Sequence, residues 1–419
     1  MKTAASEHTL PTVVIVGAGF GGLRAARALA RAPVRVVLLD RHNYHLFQPL
    51  LYQVATAGLE PEGIARPVRA ILRGQRNLEF RMAEVTGVDL AARAVRTDVG
   101  DVPYDHLILA MGWETNFYGN ASVARHGFGL KDVGEAVAIR NHVLRCFEEA
   151  TLELDAVRRR GLLTFIVVGG GPTGVEMAGA FSELVRLVLA KDYPRLDLAD
   201  VRVLLLEASD RLLVAMPPRL SQAAADTLRA RHVEVQLGAA VESYDGHGAR
   251  LAGGASIPAR TLVWAAGAKA AALAAALGLP TARQGRITVE PTLQVPGYPN
   301  VYVVGDAAWV EREGAPLPMM APVAIQMAET AARNIGRRLA GSAPLPFRYR
   351  NPGSLATIGR SAAVAYIHGL SFTGFPAWVV WLVVHLVQLI GFRNKLLVLL
   401  NWAWDYFFYD RAVRLITRR

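Results

Sequence analysis

Apolar residues along this chain fall into short unbroken runs that stop at glycine or at a single acid. Val13 to Val16 leads into Gly17-Ala-Gly-Phe-Gly-Gly22, and a helical pattern follows. An uninterrupted run suits a strand buried on both faces, the kind from which parallel sheets are built. Val36 to Leu39 is a second such run and ends on Asp40. His45 to Val54 is mixed and reads as loop. Residues 78 to 109 read as short strands closing in Asp105-His-Leu-Ile-Leu-Ala-Met-Gly112, and 133 to 160 as helix. Then the opening pattern returns. Leu162 to Val168 is an apolar strand, Gly169-Gly-Gly-Pro-Thr-Gly174 follows it, a helix starts at Val175, and Val201 to Leu206 ends on Glu207. Two further strands run into glycine, within Thr261 to Gly267 and Asn300 to Asp306. Pro322 opens a helix reaching Arg338, in a first turn where its missing N–H leaves no hydrogen bond unmade. This order predicts an α/β protein with two tandem Rossmann-like dinucleotide-binding domains, followed by a C-terminal amphipathic, membrane-associating helical region.

The repeated unit has a chemical reason. Gly17, Gly19 and Gly22, and again Gly169, Gly171 and Gly174, fill G-x-G-x-x-G. One glycine permits the tight turn out of the strand, the next lets backbone approach a pyrophosphate, and the third lets the helix pack on its strand. The helix then offers unpaired N–H groups and a positive dipole end to the phosphates. Asp40 follows Gly22 by 18 residues, near the ~20 expected of the acid that grips a ribose hydroxyl. Glu207 follows Gly174 by 33 residues, and the stretch Lys191 to Asp197, read as an inserted turn, accounts for the surplus. Chance rarely places the whole unit twice, so two dinucleotides are expected. An acid at the second strand end favours a free ribose hydroxyl, hence NAD over NADP.

Beyond the polar link Arg338 to Pro346 the composition changes. Phe375 to Gly391 carries no formal charge apart from His385, and its 17 residues fall short of a bilayer span of ~20. Trp378, Trp381, His385 and Gln388 form one helical stripe, with Val379, Val380, Val383, Val387 and Ile390 elsewhere. Gly391-Phe-Arg-Asn-Lys395 reads as a break before a second apolar stretch, Leu396 to Tyr409, and Arg411, Arg414, Arg418 and Arg419 close the chain. Two in-plane helices with basic ends on anionic headgroups are expected, His385 facing the interface or a partner. A spanning hairpin and a dimer interface are the alternatives.

At 419 residues and 52% hydrophobic the chain can bury large cores. The single cysteine, Cys146, excludes an intrachain disulfide, a cysteine-built zinc site, an iron–sulfur cluster and a redox disulfide, and it reads as a buried small side chain. The net charge of +11 points to an anionic surface. No zinc-finger spacing or basic-aromatic motif suggests nucleic acid. The short polar N-terminus, Met1 to Thr12, reads as no signal peptide and places the glycine turns in the cytoplasm.

Nearly the whole chain resembles the type II NADH:quinone oxidoreductases, single-subunit respiratory enzymes that do not pump protons. The specific matches are His45-Leu-Phe-Gln-Pro-Leu-Leu-Tyr-Gln-Val-Ala-Thr56, Trp264-Ala-Ala-Gly-Ala-Lys269, Val303-Val-Gly-Asp-Ala-Ala308, Ala324-Ile-Gln326, Ala356-Thr-Ile-Gly-Arg360 and Gly391 to Trp402. The resemblance implies FAD in the first unit, held by Gly17, Gly19, Phe20, Gly21, Gly22, Asp40, Arg41, Val85, Ala110, Gly112, Gly305, Asp306, Pro322 and Val323. It implies NADH in the second, held by Gly169, Gly171, Pro172, Thr173, Gly174, Glu207, Ala266 and Gly267. Residues 1–160 and 286–345 would be the two parts of the FAD domain, 161–285 the NADH domain and 346–419 the membrane-anchoring and dimerisation region. The Pro322 helix would point its N-terminus at the flavin, where reduction places negative charge.

NADH would then pass a hydride to FAD, and two electrons would leave for a menaquinone or ubiquinone at the cytoplasmic face of the membrane. Glu176 is the candidate proton relay or cofactor clamp, against a plain first-turn acid. Gln326 is the candidate quinone hydrogen-bond donor, against a buried-amide role. The family's A-Q-x-A-x-Q has Pro322 at its first glutamine here, and Pro352 stands where a lysine is common. Competing readings are a soluble NADH-dependent reductase of a ferredoxin- or rubredoxin-like carrier and a non-enzymatic redox-sensing flavoprotein. A sulfide:quinone oxidoreductase relies on cysteines, and a single cysteine argues against it.

Overall fold

The computed structural model describes residues 10–408 and 413–417. The leading segment and Tyr409, Arg411, Arg418 and Arg419 lie outside the described residues. The chain forms two compact units, each assembled from separated stretches. The first takes Met1–His45, Arg66–Glu114 and Ala268–Asn351, and the second Leu46–Ala65, Thr115–Gly267 and Pro352–Arg419.

The first unit is built on a six-stranded sheet in the order Gln294–Val295, Tyr298–Val303, His106–Leu109, Thr12–Val16, Arg35–Asp40, Leu78–Met82. All neighbours are parallel except the edge hairpin Gln294–Val303. Val13 aligns with Val36 on one side and His106 on the other. The strand Thr12–Val16 is buried from Val13 onward, as its apolar run requires. Helices Phe20–Ala28 and Ala321–Leu339 pack against each other in this unit.

The second unit repeats the plan with four parallel strands, Val233–Leu237, Arg202–Glu207, Thr164–Val168 and Thr261–Trp264. The central strand Thr164–Val168 is buried at every residue. Ile166, Leu204, Leu262 and Trp264 anchor the core on one side of this sheet. In both sheets the glycine-bearing strand lies where the strand order reverses, the place at which open α/β sheets receive ligands.

Several boundaries differ from the sequence reading. The helix expected over 133 to 160 breaks after Leu152, and Asp155 caps a new one, Ala156–Leu162. The long acid offset before Glu207 comes from the helix itself. Pro172–Glu183 continues as a π-helical stretch, Leu184–Leu189, and on to Asp192, so the turn begins only at Tyr193.

The C-terminal part holds a three-stranded antiparallel sheet, Ser354–Thr357, Ala363–Ile367 and Leu370–Thr373, that hydropathy alone does not signal. Helix Gly374–Gln388 follows, and Phe392–Phe408 starts immediately after Gly391, so Phe392 to Lys395 belong to the second helix and not to a break. Asn394 Nδ2 donates to the Glu62 and Gly63 carbonyls at 2.9 and 3.1 Å, fastening that helix to Pro61–Ile64. No helix among the described residues is long and apolar enough to cross a membrane.

Candidate functional site

The two glycine turns match atom for atom. Gly17 and Gly169 stand at φ +100° and +112°, a region open to glycine, and each donates its N–H to the residue before the next strand's closing acid, Leu39 at 2.7 Å and Leu206 at 2.8 Å. A Cβ on Gly17 would run into the Ala110 carbonyl, and one on Gly169 would lie 2.8 Å from Ala265 backbone. A Cβ on Gly22 or Gly174 would overlap the carbonyl oxygen of Gly17 or Gly169. Gly19 and Gly171 differ: nothing lies within 4 Å of a Cβ there. Both are helix N-caps without a side-chain cap, whereas Asp132 and Asp155 cap their own helices. Each cradle therefore keeps its backbone donors and its open approach for a ligand, which fits a pyrophosphate at both turns.

The acids are placed alike as well. Asp40 Oδ2 accepts from Ala18 N at 2.6 Å and Oδ1 from His42 N at 2.7 Å. Glu207 Oε2 accepts from Gly170 N and Oε1 from Ser209 N at 2.7 Å. Each carboxylate so braces its own turn and retains lone pairs for ribose hydroxyls. Around the first turn, Gly21 packs its backbone near Val304 and Ala324, and Ala110 and Val323 are buried. Gly112 and Gly305 both take φ +71°. Asp306 lies in the one-turn helix Gly305–Ala307, and Pro322 stands second in the uncapped helix Ala321–Leu339. Arg41 pairs with Glu84 at 3.7 Å on the surface, and Val85 starts the next strand. Around the second turn, Pro172, Thr173 and Gly174 open the helix, and Gly267 (φ +119°) lies against Tyr118. Ala266 flanks the core beside Trp264.

His45 is a contributor that the sequence pattern left without a role. It is buried, its Nδ1–H donates to the Ala18 carbonyl inside the first turn at 3.0 Å, and Phe20 meets it edge-on at 5.0 Å. Burial lowers its pKa and keeps it neutral.

Gln326, expected to reach a quinone, is engaged elsewhere. Its Nε2–H donates to the Arg350 carbonyl and its Oε1 accepts from Arg350 N, both at 2.9 Å. This pair uses one N–H and one lone pair, so Nε2 keeps a second N–H that a quinone oxygen can accept from.

Glu176 sits one turn beyond the helix start and not in the first turn, so the dipole explanation does not hold. It is buried, and its Oε1 accepts from Thr357 N at 3.4 Å and from Trp381 Nε1 at 3.2 Å. Burial pushes its pKa up to about 8, against the two N–H donors. It is a proton-bearing acid at neutral pH. Thr357 and Trp381 also line a cavity of about 380 Å³ within the second unit, together with Tyr52, Trp378, Trp402 and Tyr406. Arg360 lies in its wall, 4.0 Å over the Tyr406 ring, its backbone N–H donating to Glu183. Trp402 Nε1–H donates to Gln53 at 2.8 Å.

Within the stripe Trp381 and His385 turn inward while Gln388 is exposed, which reverses the expectation for His385. Trp381 is 1% exposed, and His385 stacks on it at 4.1 Å, donates Nδ1–H to its carbonyl and meets Phe47 edge-on. Burial lowers the His385 pKa to about 4. The outward face is instead Val379, Val383 and Val387, continued by Phe392, Leu400 and Phe407. Arg414, expected at headgroups, pairs with Asp192 at 3.0 Å. Cys146 is buried, its thiol pushed up to about 11 by that burial. Among the described residues no cluster of side chains could hold a metal ion.

Two matched dinucleotide cradles, one per unit, define a two-nucleotide oxidoreductase fold. Residues 11–328 match the pyridine nucleotide-disulphide oxidoreductase family, and residues 352–410 match the NDH2 C-terminal domain. The chain is 42% identical to the type II NADH:quinone oxidoreductase Ndh of Mycobacterium tuberculosis, over 97% of this chain and 90% of that one. It is 27% identical to the type II NADH:quinone oxidoreductase of Staphylococcus aureus, over 87% and 92%. In fold it is similar to NDH2 from Plasmodium falciparum in complex with NADH, at TM-score 0.88 and 20% identity, over 97% of this chain and 100% of that one. The chain belongs to the type II NADH:quinone oxidoreductases.

Proposed function

We propose that this chain oxidises NADH through bound FAD and hands two electrons to a membrane quinone. Support for the acceptor comes from an aromatic-walled cavity backed by a buried, protonated acid in a chain that also carries two nucleotide cradles. FAD, when bound, supplies hydride acceptance and two-electron release. The protein's part is positional and electrostatic. Turn N–H groups at Gly19 and Gly171 hold the pyrophosphates, and Asp40 and Glu207 orient the riboses. Asp306 and the uncapped start of Ala321–Leu339 supply further FAD contacts, the helix N-terminus stabilising negative charge. Glu176, with Oε1 accepting from Thr357 and Trp381, holds a proton at Oε2 behind the cavity wall, available to a quinone that must gain two. The walls are mainly aromatic and aliphatic, with Glu183, Arg360 and Asp405 among them.

The flavin-binding parts are 1–160 and 286–345, the NADH part 161–285 and the anchoring part 346–419. The outward valine face lies on the cytoplasmic surface of the membrane. Its helices, 15 and 17 residues long, extend only ~22 and ~26 Å, against ~30 Å of hydrocarbon. A second copy of the chain is the competing occupant of that face, and vesicle flotation of the detergent-free protein decides between them.

Rapid anaerobic mixing with NADH should bleach the oxidised flavin within one turnover, and a short-chain quinone should restore it. Bleaching without restoration would leave NADH oxidation intact and remove the quinone. An unchanged spectrum would overturn the whole reading.

A further inference from the structure

The outer helix Gly374–Gln388 does more than present valines. Its inward residue Trp381 carries one of the two donors on Glu176, the other being the Thr357 backbone. The indole cannot swing freely. His385 stacks on it at 4.1 Å, and Trp402, tied to Gln53, lies 5.6 Å away. Trp381 and Thr357 form part of the cavity wall, so the acid stands directly behind them.

We propose that Trp381 is a positioning residue through which the outer helix fixes the Glu176 carboxyl group at the back of the cavity. This rests on the reading of Glu176 as the acid that serves the acceptor. Held by two N–H groups on one oxygen, the carboxyl keeps its second oxygen as the one that carries the proton. The donors favour the ionised form, so without the indole N–H the acid gives up its proton less readily. Titratable groups on elements packed against the Pro172–Glu183 helix are Tyr52, Arg186, Glu207, Arg219, Asp226 with Arg229, Arg202 with Glu234, and Glu183 itself with Arg231. His385 reaches it only through Trp381. None of them shifts Glu176, whose setting is burial and the two N–H groups. The Trp381 N–H is accordingly the contact by which movement of the outer helix reaches the acid.

The test uses full-length protein with FAD. Trp381→Phe keeps an aromatic ring, smaller than the indole, and removes the N–H. Quinone-dependent kcat and KM are followed from pH 5 to 9, beside flavin reduction by NADH, with Glu176→Gln and the double variant in parallel. Trp381→Phe should move the pH limb of the quinone step up by about one unit and leave flavin reduction within about twofold. Glu176→Gln should abolish the limb, and the double variant should equal it. A wild-type profile in Trp381→Phe, with the limb lost in Glu176→Gln, overturns the positioning role alone. A limb that survives Glu176→Gln overturns the role of Glu176 itself. Should Trp381→Phe not fold, the indole N–H resonance of Trp381 in the wild-type protein serves instead. It should titrate with that limb and stop titrating in Glu176→Gln, and a resonance indifferent to pH overturns the proposal.

Discussion

Gly171→Ala and Gly174→Ala separate binding from folding in the second cradle. At Gly171 the backbone has φ −72° and ψ 177°, which alanine adopts without strain, and a Cβ meets nothing within 4 Å. Reduced freedom in the unfolded chain stabilises by about 0.4–1 kcal/mol, and the poorer N-cap offsets part of that. The melting temperature should therefore stay within about 2 °C. The same methyl stands where a pyrophosphate must approach, so NADH should bind at least ~10-fold more weakly, about 1.4 kcal/mol. Gly174→Ala is the reverse case. Its Cβ would overlap the Gly169 carbonyl oxygen, and backbone has no rotamer to move away. Forcing the helix off its strand should cost about 2–3 kcal/mol of stability. Thermal unfolding and NADH titration of the purified flavoprotein measure both. A folded Gly171→Ala protein with unchanged NADH affinity would refute the assignment of this turn to the pyrophosphate.

Three further outcomes follow from particular contacts. Glu176 binds a proton in the folded state up to about pH 8 but releases it near 4.5 when unfolded, so folded protein loses stability as pH rises across that window, by at most ~1.4 kcal/mol per unit. Glu176→Gln should flatten this slope in denaturant titrations, and an unchanged slope contradicts the burial argument. Gln326→Ala removes both hydrogen bonds to Arg350 and should lower stability by about 1–2 kcal/mol. A normal unfolding midpoint with weaker quinone turnover would place Gln326 at the acceptor and not in a structural clasp. Val383→Asp with Val387→Asp, at sites 55% and 65% exposed, should abolish flotation with anionic vesicles and leave flavin reduction by NADH unchanged. Continued flotation would move the docking face elsewhere.

The two cradles were legible because their signal is local. Turn, helix start and closing acid lie within one strand–helix–strand stretch, and glycine at fixed spacing is demanded by backbone geometry that few other residues satisfy. The doubled acid brace, Asp40 on Ala18 and Glu207 on Gly170, follows from the same local repeat. The C-terminal part was less readable. Its three-stranded sheet has short strands whose partners are supplied by the fold, and its helix is apolar nearly all round, so hydropathy could not say which side faces inward.

The sequence by itself determined the α/β plan, the two nucleotide turns, the exclusion of an intrachain disulfide and the family. Those depend on residue type at short range. Only the tertiary structure decided that Trp381 turns inward onto Glu176, that Gln326 is bound to Arg350, and that on helix Gly374–Gln388 valines rather than tryptophans face out. Each of those contacts joins residues far apart in the chain or selects one side of a uniformly apolar helix. Burial, which sets the proton affinity of Glu176, exists only once the distant segments have closed over it.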